Sequence, residues 1–226
     1  MKLLGIETST HAGSIAFMDD NRVLGELFLN LGPVQSERII PTIDWLMGEV
    51  GIEKKEIEAI AVSIGPGSFT GLRVGLSTAK GLAFSLRIPI VGVSSLEILA
   101  MNIFTNFPIC SIIDARKKEV FAAFFRFSEG DIVRISDDIL ISPQGLCKMI
   151  RERTVFIGDG ALLYRDLFIS VLGESVLFCP LNLSFPRASN AALIGARRLR
   201  EGQRDDPSTL APQYLRKAEA EIYREG

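Results

Sequence analysis

Apolar residues recur along this chain with a period that switches between two and about 3.6, the periods of a half-buried strand and an amphipathic helix. Alternating and β-branched runs predict strands at about residues 2–7, 13–19, 22–30, 58–64, 89–93, 109–114, 119–127, 131–141, 154–158 and 175–179. Helical spacing predicts helices at about 36–50, 71–86, 94–102, 143–152, 160–171 and 188–201. The polar "EGQRDDPST" before the tail is the only linker-like stretch.

The order of these elements repeats. Each half runs strand, strand, strand, helix, strand, helix, then a further strand and helix, with the second half starting near residue 109. "GIETSTHAGSIAF" has a first strand ending in Glu7, and "IIDARKKEVFAAF" has one ending in Asp114. "VSIGPGS" (62–68) is echoed by "VFIGDGA" (155–161), each a β-rich run that breaks at Gly-X-Gly and opens a helix. A duplicated βββαβα unit, with mixed sheets and helices on both faces, suggests an α/β fold of two ribonuclease-H-like lobes, as in the actin, Hsp70 and hexokinase superfamily. The expected division is 1–103 for the first lobe and 104–226 for the second with its C-terminal tail. Enzymes of that superfamily hold ATP between the lobes, with a carboxylate ending each first strand. By fold analogy alone, Glu7 and Asp114 take those places.

The candidate chemistry centres on "GPGSFTGLRVG" (65–75). A Walker A loop needs lysine after its last glycine, but Gly71 is followed by Leu72 and the residue five before it is Pro66. The dinucleotide fingerprint needs glycine three after Gly67, where Thr70 stands. What remains is generic: Ser68 or Thr70 caps the following helix, whose first amides can attract an anion. Residue physics favours a tight corner, with Gly65 and Gly67 supplying positive φ and Gly71 and Gly75 permitting close packing. Glu7 and Asp114 keep two readings, Mg²⁺ held through waters or satisfaction of backbone amides in the next turn. His11 is the sole histidine, in the turn-like "STHAG", and one imidazole does not make a metallopeptidase zinc site.

Composition narrows the field further. Net charge is −2, from 25 basic and 27 acidic residues, so there is no whole-domain basic footprint for nucleic acid. Arg116-Lys117-Lys118 and Arg197-Arg198…Arg200 are local clusters. Cys110, Cys147 and Cys179 lie far apart in apolar surroundings and read as reduced core residues. No apolar run approaches the eighteen-odd residues of a membrane span, and the opening apolar stretch stops at Glu7, too short for a signal peptide. A cytoplasmic location with no membrane contact is the expectation. A hydrophobic fraction of 47% points instead to apolar surface reserved for another chain.

The stretch "GPGSFTGLRVGLSTAKGLAFSLRIPIVGVSSLE" (65–97) strongly resembles the signature of the TsaB family, also called YeaZ. "LLGIETST", "SERIIPTIDWL", "IDARKKEVFAAFF" and "APQYLR" add to it, so the resemblance spans nearly the whole chain. Gln35 stands where many members have histidine. The resemblance implies a non-catalytic subunit of the machinery that makes N6-threonylcarbamoyladenosine at position 37 of tRNA. Its implied partners are the catalytic paralogue TsaD and a TsaE-type ATPase, with a homodimer when alone and tRNA reached indirectly. It implies no catalytic residue, no metal and no resident cofactor, with ATP and Mg²⁺ confined to the assembled complex. Glu7, Gly65, Gly67, Ser68 and Asp114 would then be a vestigial nucleotide cleft.

A binding role requires helices with two apolar faces. Ile39, Ile43, Leu46 and Val50 form one stripe, with Ile40 and Met47 beside it, and Pro41 is expected to kink the helix near its start. In the second helix Leu72, Ala79, Leu82 and Leu86 face inward, while Val74, Ser77, Gly81 and Phe84 mark another face. Periodicity leaves core and interface equally open. The resemblance implies a four-helix bundle with the partner through Ile39, Ile40, Ile43, Met47, Arg73, Val74, Ser77, Lys80 and Phe84. Charging Met47 and Val74 is then expected to abolish association while leaving the fold intact. The competing function is an ATP-dependent phosphotransferase or ATPase of the actin-like superfamily, using Glu7, Asp114 and the Gly65–Gly71 turn.

Overall fold

A computed structural model describes residues 1–30 and 38–215. Gln35, the helix start expected at 36 and the tail from Arg216 lie outside them. Two compact units result, Met1–Ile98 with Pro186–Pro212, and Leu99–Phe185 with the described residues from Gln213.

In the first unit, β1 (Lys2–Glu7), β2 (Gly13–Asp19) and β3 (Arg22–Leu29) form an antiparallel meander. β4 (Ala59–Gly65) and β5 (Ile90–Ser94) join parallel to β1, giving the order β3-β2-β1-β4-β5. α1 (Ile39–Val50) and α2 (Phe69–Leu86) cover one face, packing Ile39, Ile43, Leu46 and Leu76 against Leu4, Ile6, Phe17 and Val62. The alternating residues of the same strands, Leu3, Met18, Ala59 and Ala61, face the other way. α3 (Ser95–Ala100) follows β5.

The second unit repeats this plan with β6 (Ile109–Asp114), β7 (Val120–Ser128), β8 (Asp131–Arg134), β9 (Ile139–Ile141), β10 (Thr154–Ile157) and β11 (Val176–Phe178). Their order, β11-β10-β6-β7-β8, is the first sheet's order read from the other edge, so the duplication is real at the level of topology. The single strand expected at 131–141 is two, because Ile135 and Ser136 both donate backbone N–H to the Phe124 carbonyl and the Ser136 hydroxyl accepts from Phe124 N. β9 then resumes pairing on the same β7. α4 (Pro143–Cys147), α5 (Asp159–Leu163) and α6 (Arg165–Leu172) complete the unit, with Phe156 and Phe168 edge-to-face in its core at 4.9 Å. The three cysteines are free and buried, and burial pushes Cys179 up to about 11.

The last helix, α7 (Ala188–Arg200), departs from the expected division. Its position in the chain assigns it to the second lobe, yet it covers the open face of the first sheet. The reason is steric. Ala188, Ala191, Ala192, Gly195 and Ala196 give α7 a flat buried face, and a Cβ on Gly5 would lie 2.2 Å from the Ala188 carbonyl oxygen. Three arginines then pin its C-terminal turn. Arg198 reaches the Gly92 carbonyl at 2.7 Å and Glu97 at 2.7 Å, Arg197 lies 3.5 Å from Glu97, and Arg200 donates to Asn21. The 197–200 cluster is therefore a clamp to the first unit. Gly5→Ala should lower unfolding stability by about 2 kcal/mol in urea titrations, since the clash is with backbone that cannot turn aside.

Pro41 is the third residue of α1, where its missing N–H and its ring cost the helix nothing, so the expected kink is not required. Between β6 and β7, Arg116, Lys117 and Lys118 stand at φ 61°, 52° and 63° in succession. Left-handed backbone costs a residue with a Cβ about 1–2 kcal/mol, which makes three such residues in a row unusual.

Candidate functional site

The glycine corner packs against its own chain. Ser68 N donates to the Ser9 carbonyl at 2.7 Å, and the Thr8 hydroxyl donates to the Gly71 carbonyl at 2.8 Å. Cβ atoms on Gly67, Gly71 and Gly75 would lie 2.2, 2.1 and 2.1 Å from the Ser9 carbonyl, the Thr8 carbonyl and the Thr8 hydroxyl. These glycines exist so that the turn after β1 can seat on the start of α2. Gly65 does supply positive φ, at 109°, but Gly67 does not; close approach is its constraint. Ser68 caps α2 by accepting from Gly71 N at 3.3 Å, and Leu72 N bonds to the Ser68 carbonyl. The amides that could have met an anion at Gly71 and Leu72 thus have partners within the chain.

Glu7 sits at the same corner and is 0% exposed. One carboxyl oxygen accepts from Ser9 N at 2.5 Å, and the other, Oε2, has no partner. Burial pushes its pKa up to about 7, against the pull of hydrogen bonds from Ser9 and Ser63. A cavity of about 30 Å³, room for a water or two, lies against it, lined also by Ser14, Arg38 and Thr42.

Asp114, in the second unit, follows the amide-satisfying reading. Its Oδ1 accepts from Arg116 N at 2.9 Å, and its Oδ2 lies 3.5 Å from Arg116 Nε. Its own N–H donates to Asp159 Oδ1 at 3.0 Å, so Asp159 is a member of this corner that the sequence reading did not single out. The "GDG" echo was the available signal. Among the described residues no group of three or more His, Cys, Asp or Glu could hold a metal.

The helix faces divide the expected interface residues. Ile39, Ile43 and Met47 are buried in the core of the first unit, Met47 to 7% exposure, and are corrected from interface to core. The expectation that charge at Met47 would spare the fold goes with them. Ile40 is 65% exposed and Phe84 84%, with Arg73 and Ser77 also exposed and Val74 half-buried. Arg73 stacks on the Phe69 ring at 3.8 Å, and half-buried Lys80 donates to the Leu210 carbonyl at 3.0 Å, anchoring the segment after α7. Trp45, 54% exposed, was missed. A lone tryptophan off the 39/43/46/50 stripe was the clue.

Comparison with known proteins identifies the family and the fold. A family model described as TsaD, tRNA N6-adenosine threonylcarbamoyltransferase, matches residues 35–224. The tRNA threonylcarbamoyladenosine biosynthesis protein TsaB of Bacillus subtilis (strain 168) is 33% identical, with 98% of this chain and 96% of that protein covered. YeaZ from Pseudomonas aeruginosa shares the fold at a TM-score of 0.81 and 24% identity, covering 95% of this chain and 99% of that one. The ROK hexokinase from Thermus thermophilus shares it more distantly, at a TM-score of 0.51 and 11% identity over 89% of this chain and all of that one. Among the described residues no helix is long and apolar enough to cross a membrane. The chain belongs to the TsaB (YeaZ) family of tRNA threonylcarbamoyladenosine biosynthesis proteins, within the wider family that the TsaD model describes.

Proposed function

We propose that this chain serves threonylcarbamoyladenosine synthesis as a non-catalytic subunit, docking its catalytic paralogue TsaD on the exposed sides of α1 and α2. One contrast carries the reading: the acid and glycine positions of an ancestral nucleotide site are closed by the chain's own atoms, while Ile40, Trp45 and Phe84 stand in solvent. Large aromatic side chains exposed on well-ordered helices are the usual anchors of a protein interface. Alone, the same surface pairs two copies. A TsaE-type ATPase joins the assembled pair, and ATP with Mg²⁺ enters there. The phosphotransferase alternative needs a solvent-facing acid pair and is disfavoured by the burial of Glu7. Ile40→Glu/Phe84→Glu, mixed with TsaD in sedimentation-velocity runs, is expected to abolish the heterodimer with an unchanged melting midpoint. Undiminished association would overturn the proposal, as would Mg-ATP turnover by the isolated chain that Asp114→Ala removes.

A further inference from the structure

β5 is an edge strand of the first sheet, and an edge presents backbone N–H and C=O groups that no neighbouring strand satisfies. The segment after α7 takes them. Asp205 N donates to the Ile90 carbonyl at 2.9 Å, forming a lone antiparallel bridge. The Asp205 carboxylate then stands in for a strand carbonyl, with Oδ2 accepting from Gly92 N at 2.8 Å. Asp206 turns the chain at once: its carbonyl accepts from Thr209 N and Leu210 N, and its Oδ1 accepts from the Ser208 N–H and hydroxyl, both at 2.7 Å. The turn lays Leu210 over Gly92, where an added Cβ would lie 3.1 Å from Leu210 Cδ1. There the Leu210 carbonyl accepts from Lys80 of α2. Residues 205–210 thus run from the edge of β5 to the second half of α2.

That half of the helix is thinly gripped by the sheet. Beyond Leu76 its fully buried residues are Ala79 and Ala83, each offering one methyl group, while Leu82 and Leu86 are half-buried. Phe84 projects from the same half, and Pro207 shares a shallow depression with Ala83, Phe84, Arg87 and Ile88. We propose that residues 205–210 are a tether that holds the C-terminal half of α2 on β5 and so sets the pose of Phe84, a role that rests on the docking reading above. A helix end that leaves the sheet presents Phe84 correctly for only part of the time, and apparent affinity falls with that fraction. Lys80 then acts from behind the interface rather than within it.

The test pairs a mobility measurement on the full-length chain with titration of its catalytic paralogue. The three cysteines are buried, so a nitroxide attached through Ser85→Cys, an exposed position, reports on the end of α2 by electron paramagnetic resonance. Asp205→Ala/Leu210→Ala should turn most of an immobile spectrum mobile and, without the label, weaken the heterodimer about tenfold. Asp205→Ala alone is the milder form, expected to shift both readouts the same way by about threefold. Asp205→Asn, which keeps an acceptor for Gly92 N, should stay close to wild type. Val62→Ala, a truncation in the core beneath, should lower stability and leave spectrum and affinity unchanged. An unchanged spectrum in the strap variants would overturn the proposal, as would a mobile helix end with undiminished affinity. An equal loss of affinity in Val62→Ala would overturn it too, since stability rather than pose would then govern docking. If wild type never binds the paralogue, the function reading fails, and the spectrum still decides whether the strap holds α2.

Discussion

Glu7→Gln is expected to stabilise the protein by about 3 kcal/mol above pH 7 and to change little below pH 4.5. The sign follows from where the proton sits in each state. The unfolded carboxyl ionises near 4.5, whereas burial holds the folded one neutral up to about 7. Below 4.5 both states are protonated and the charge costs nothing. Between 4.5 and 7 the unfolded chain releases its proton while the native state keeps it, so stability falls by about 1.4 kcal/mol per pH unit. Above 7 the folded carboxylate is ionised too, with Oε2 unpartnered, and the full penalty remains. Glutamine keeps the acceptor for Ser9 N and carries no charge. Urea titrations at pH 4, 5.5 and 8 should give curves for the two proteins that converge in acid and diverge in base. Parallel curves would mean that Glu7 is wetter than its 0% exposure indicates.

The second large effect separates two residues on neighbouring helices, Met47 on α1 and Phe84 on α2. Met47→Glu should cost more than about 4 kcal/mol and leave little folded protein, because it places a carboxylate among Ile43, Leu46 and the strands beneath. Phe84→Glu should move stability by less than about 0.5 kcal/mol, since its ring is 84% exposed. Its effect should appear instead as a loss of heterodimer of at least a hundredfold, the range of an anchor residue in an interface core. Thermal melts and isothermal titration of the two variants read the difference. A folded Met47→Glu protein that still fails to bind would return Met47 to the interface.

What the sequence revealed, and what it withheld, follows the same physics. The strand and helix periods located nearly every element, and the Gly-X-Gly echo exposed the duplication, because both patterns are written locally. The destination of α7 was not legible, since alanines and Gly195 fit any flat sheet and nothing local says that the sheet is the one containing Gly5 and Ala61. Periodicity marked α1 and α2 as broadly apolar but could not say which arc faced inward; the burial of Met47 and exposure of Trp45 decide that. The glycine loop read as a tight corner, and it is one. The closure of Glu7 was invisible, because it depends on Ser9 and Ser63 being brought together by non-local pairing.

Because α7, which starts at Ala188, covers a sheet whose last strand ends at Ser94, the order of synthesis matters. A ribosome that has released the first five strands has made a platform whose Leu3, Met18, Ala59 and Ala61 are still uncovered, and the whole second unit must emerge before the covering helix does. Nascent chains therefore keep that greasy surface bare from Ser94 until Ala188 and the rest of α7 have been made. Truncation anywhere before Ala188 should yield material that needs chaperones or precipitates, however well its remaining residues can pair.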